Sequence, residues 1–61
     1  MQQKQIIDIA KRAIRKGWDF EMLKYSDDLY GKENLADEVY EFVIECRKIG
    51  EDAFAAKYGP L

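Results

Sequence analysis

NLADEVYEFVIECRKIGEDAFAAKY, residues 34–58, decides how this chain is read. Its apolar residues Leu35, Val39, Phe42, Cys46, Ile49, Ala53 and Ala56 recur at alternating steps of four and three. A period of 3.5 residues held over three heptads predicts a helix that keeps one apolar stripe turned toward a partner helix. Asn34 is placed to cap it, Asp37 and Glu38 suit its positive end, and Gly59-Pro60 supplies the stop.

The length of that helix raises a conflict. Twenty-four helical residues, Leu35 to Tyr58, span about 36 Å, whereas a compact domain of 61 residues is only about 27 Å across. One solution is a helix whose end projects and packs on a second molecule, and this is the arrangement expected. The alternative is a break at Gly50, with Glu51-Asp52 opening a fourth short helix that carries Phe54 and Tyr58.

Working back toward the N-terminus, Gly31 to Asn34 reads as a short loop, preceded by a helix from Phe20 to Tyr30. Asp19 is its N-cap, and Trp18 is positioned to pack on Leu23 as a hydrophobic staple. Gly17 ends an earlier helix, Gln3 to Lys16, whose residues Ile6, Ile9, Ala10, Ala13 and Ile14 share one face. The fold class is therefore all-α: a small three-helix domain with a long C-terminal helix, expected to self-associate.

Composition agrees with a folded helical chain. Hydrophobic residues make up 48% and aromatics 13%, too many for disorder despite 36% charged residues. Threonine is absent and proline occurs once, which removes two obstacles to helix. A domain of this size cannot bury a large core, and one cysteine without histidine offers neither an internal disulfide nor a zinc site. Self-association or a partner is the remaining source of stability, and a homodimer is expected.

The net charge is only −2, but it is unevenly spread. Residues 1–16 carry five basic side chains and one acidic one, while residues 17–41 carry eight acidic and two basic. The basic set, Lys4, Lys11, Arg12, Arg15 and Lys16, is the candidate partner-binding face. An acidic protein partner fits it best, and nucleic-acid backbone is the alternative. For self-association the candidates are Tyr40, Arg47, Phe54 and Tyr58, interface-type residues beside the predicted seam.

Other chemistries find little support. With no histidine, one serine and Cys46 on a predicted buried stripe, the usual nucleophile and base pairs are missing, so no enzyme and no cofactor is expected. Setting Gly31 at the turn of a calcium loop places wrong residue types at several ligand positions, so the acidic middle reads as a solvated face. The stretch Gly17 to Tyr25 distantly resembles the segment of MerR-type regulators in which a turn glycine leads into a helix, over less than a sixth of the chain. Asp19, Glu21, Asp27 and Asp28 against Lys24 alone would repel DNA there.

No apolar run approaches the roughly 18 residues of a membrane span, and Asp8 interrupts the N-terminus before a signal-peptide core could form. The expectation is a cytoplasmic, non-enzymatic interaction or regulatory module, acting through helix one, the C-terminal helix, or both.

Overall fold

The computed structural model describes residues 2–61, and four helices account for most of them: α1 (Gln3–Lys16), α2 (Phe20–Lys24), α3 (Glu33–Ile49) and α4 (Glu51–Tyr58). The all-α reading holds, and no strand occurs among the described residues. The projecting helix does not form. Gly50 adopts φ 91° and ψ 158°, a conformation open to glycine and strained for residues bearing a Cβ. Its N–H still closes the last turn of α3 on the Cys46 carbonyl, while its own carbonyl accepts from Phe54 N–H and starts α4.

This break resolves the length conflict. The 17 residues of α3 span about 26 Å, which fits within a longest extent of 31 Å. An uninterrupted helix to Tyr58 would overrun it. With α4 folded back, Phe54 is fully buried and Tyr58, whose ring lies 4.8 Å from that of Phe54 in the same helix, meets Phe42 of α3 edge-on at 5.4 Å.

The buried stripe of α3 is Ala36, Val39, Val43 and Cys46. It shares Val39 and Cys46 with the seam expected from the sequence but is rotated from the rest: Leu35 and Phe42 are half-buried flanks, while Ile49, Ala53 and Ala56 are exposed. The reason is the partner. α1 lies along α3 and offers the fully buried Ala10 and Ala13, so the small residues of α3 face it and the larger ones turn to the edges.

α1 ends as expected. Gly17, at φ 70°, donates to the Ile14 carbonyl and Trp18 donates to Ala13, the paired bonds of a Schellman cap. At its other end Gln2 N–H donates to Gln5 Oε1. Asp19 caps α2 by accepting from Met22 N–H at 2.9 Å.

α2 stops at Lys24, six residues before the predicted end at Tyr30. Ser26 Oγ donates to the Leu23 carbonyl and competes with the helix ladder, and Asp27 and Asp28 would oppose the dipole of a longer helix. Residues 25–31 run instead as linked turns that bury Leu29. α3 begins at Glu33 with Lys32 as its cap residue, so Asn34 lies in its first turn and is not the cap. The Lys32 carbonyl accepts from both Leu35 and Ala36 N–H, which fixes that earlier start.

Candidate functional site

The five basic residues of helix one divide into two groups. Lys11 is half-buried and donates from Nζ to the Tyr58 carbonyl at 2.7 Å, satisfying a free carbonyl of the last turn of α4. Arg12 pairs through Nη1 with Asp28 Oδ2, both side chains nearly half exposed. These two cations belong to the fold. Lys4, Arg15 and Lys16 have no acidic partner among the described residues, and Lys16 Nζ stands 5.6 Å from the Trp18 ring. The charge segregation of the sequence is thus partly internal, with Arg12 of α1 pairing with Asp28 in the turn after α2.

The predicted self-association strip is not one surface. Phe54 is completely buried and cannot meet a second molecule in the folded chain. Tyr58 is half-buried, and its hydroxyl donates to Glu45 Oε1 at 2.9 Å. Lys57 Nζ reaches Glu45 Oε2 at 2.6 Å, so this carboxylate clamps the end of α4 onto α3. Hydrogen bonds from Lys57 and then Tyr58 hold the Glu45 carboxyl below its ordinary pKa, and the same contacts, led by Glu45, hold Lys57 above its own. Tyr40 is half-buried edge-on to Phe20 at 5.4 Å and accepts from Arg47 Nη1 at 2.9 Å. The strip breaks because α4 turns back and draws its aromatic residues inward.

The exposed apolar side chains lie elsewhere. Met22 is 54% exposed, Tyr25 60% and Tyr30 70%, and the two tyrosine rings sit 6.4 Å apart at 46°. Lys24 Nζ lies 5.3 Å from the Tyr25 ring and 3.5 Å from Glu33 Oε1, in a shallow groove shared with Tyr30 and Gly31. Tyr25 and then Glu21 hold the Lys24 ammonium above its ordinary pKa. The second exposed set is Ile44 and Ile49 on α3.

The sequence pattern sets Tyr25 and Tyr30 inside one helix, Phe20 to Tyr30, and singles out neither as a binding residue. The signal was available in Ser26-Asp27-Asp28, which halts α2 and leaves the flanking tyrosines outside any helical face.

A groove of about 340 Å³ lies between the end of α1 and the α3–α4 junction, walled by Ala13, Ile14, Trp18, Cys46, Arg47 and Glu51. Cys46 is buried, and burial, with Glu51 adding to it, pushes its thiol pKa up. A protonated thiol is a weak nucleophile and a weak metal ligand. Among the described residues no three acidic or cysteine side chains converge on a common point. Nor is any described helix long and apolar enough to cross a membrane.

Set against known proteins, the chain matches no protein-family model, and no curated protein or solved structure is significantly similar to it.

Proposed function

We propose that this chain is a non-enzymatic interaction module that docks a protein partner through Met22, Tyr25 and Tyr30. The exposure of two tyrosine rings 6.4 Å apart, with an exposed methionine three positions before the first of them, carries this reading. Tyrosine brings contact area at low entropic cost, and methionine adapts to irregular partner surfaces. Glu21 and Asp27 border the patch without an ion-pair partner among the described residues. Lys24 stands over the Tyr25 ring, so the patch has a rim of mixed charge, and the complementary surface is apolar at its centre with polar groups of both signs around it. The free, buried thiol of Cys46 suits a reducing compartment, and the cytoplasm is the proposed site of action.

A second reading rests on Lys4, Arg15 and Lys16, which have no acidic partner among the described residues and are available to an acidic protein or to nucleic-acid phosphates. Three cations support only weak, salt-sensitive attachment.

Capture from host lysate with three baits separates the readings: the wild type, Y25S/Y30S and K4E/R15E. A partner lost with the tyrosine variant and kept with the charge variant supports the first. The reverse pattern, with early elution in salt, supports the second. A bound set unchanged by either variant removes both.

A further inference from the structure

On the side of α3 turned away from its buried stripe, Asp37, Glu41, Ile44 and Lys48 follow at steps of four, three and four. They form one continuous stripe about three turns long. Ile44 is 38% exposed at its middle, and Ile49 beside Lys48 is 43% exposed. Two shallow hollows run along this face, one walled by Phe20, Tyr40 and Ile44, the next by Ile44, Lys48 and Ile49. Asp37, Glu41 and Lys48 have no ion-pair partner among the described residues.

We infer that this face of α3 is a dimer interface that takes the same face of a second copy, antiparallel, about a two-fold axis passing beside Ile44. The order of charge along the stripe dictates the direction. Acidic residues precede Ile44 and a cation follows it, so parallel helices would set Glu41 against Glu41 and Lys48 against Lys48. Antiparallel helices exchange them.

Glu41 lies three residues before Ile44 and Lys48 four after it, about 4.5 and 6 Å along the axis. With Ile44 near the axis, the Glu41 of each copy therefore falls opposite the Lys48 of the other. Two ion pairs flank an isoleucine contact, and the surface is complementary to itself, as a two-fold interface requires. The outer face of α1 offers no comparable apolar anchor, since Lys4, Asp8, Arg12 and Arg15 occupy it. Three turns of helix bury less than a standard interface, so the dimer is weak and concentration-dependent. The interface uses none of Met22, Tyr25 and Tyr30, so it stands or falls independently of partner docking at that patch.

Sedimentation equilibrium on the full chain tests the interface with the wild type, K48E, E41K and an equimolar mixture of the two variants. Both positions are exposed, and an unchanged helical circular dichroism spectrum verifies that each variant folds. The wild type dimerises as concentration rises, and each single reversal weakens dimerisation by about tenfold or more. The mixture recovers a dimer, because positions 41 and 48 again carry opposite charges at both contacts. A wild type that stays monomeric up to about millimolar concentration, reversals without effect, or a mixture that stays monomeric would each overturn the inference.

Discussion

The Nζ of Lys11, in the middle of α1, donates to the backbone carbonyl of Tyr58, the last residue of α4, at 2.7 Å. This bond joins the first helix to the last across 47 positions of sequence. It also turns a residue that reads as partner-binding into a structural clasp. Lys11→Ala removes a charged donor from a partly buried carbonyl and the aliphatic stem that covers it. The expected loss is about 1 to 2 kcal/mol by urea denaturation. An equal loss in Lys11→Met would assign the effect to the bond; full stability in Lys11→Met would assign it to the stem.

Arg12 and Asp28 link the basic and acidic segments, at the surface. A double-mutant cycle with Arg12→Ala and Asp28→Ala should return a coupling of about 0.2 to 1 kcal/mol that shrinks as salt is raised. A larger coupling insensitive to salt would mean that the pair is shielded from solvent.

Phe54 distinguishes a core role from an interface role. As the largest fully buried side chain, its replacement by alanine should cost about 3 to 5 kcal/mol, comparable with the whole stability of so short a chain. Phe54→Ala should therefore lose most of its helical signal at 25 °C. A folded variant altered only in its association would place the ring at an interface instead.

Glu45 ties the fold to pH. Hydrogen bonds from Lys57 and Tyr58 hold its carboxyl below the ordinary value of 4.5. Its contribution is thus complete above that value and disappears as the pH falls through the lower, folded pKa. Lys57 is held above 10.5, so the clamp keeps both charges throughout the neutral range and loses the ammonium only in strong alkali. Urea midpoints compared between pH 7 and pH 3 should fall further in the wild type than in Glu45→Gln. Parallel falls would show that other carboxylates carry the acid sensitivity.

Much of this fold is legible in the residues themselves. Gly17 and Asp19 mark the first boundary because each has a local conformational reason to be there. The register of α3 is only partly legible: Val39 and Cys46 are buried as the seam expects, but Leu35 and Phe42 or Ala36 and Val43 serve equally well beside them until the small residues of α1 select the second pair. Phe54 illustrates the same limit. Its burial depends on a turn at Gly50, and helical periodicity passes through a glycine without registering the backbone angle that it takes. The candidate surfaces are the least legible part of the sequence. Lys11 and Arg12 look free until the fold brings Tyr58 and Asp28 to them, and Tyr25 and Tyr30 read as helical until Ser26 ends α2.

Gly50 carries the central claim, because its positive φ folds α4 back, buries Phe54 and removes the projecting helix that the seam suggests. The direct measurement is the stability of Gly50→Ala against the wild type by urea denaturation. Nothing lies within 4 Å of the added Cβ, so the result reports backbone conformation and not crowding. With φ at 91° the variant should lose about 1 to 3 kcal/mol. A gain of about 0.5 to 1 kcal/mol, the value of alanine over glycine inside a helix, would show that the helix runs on through position 50 and would contradict the account.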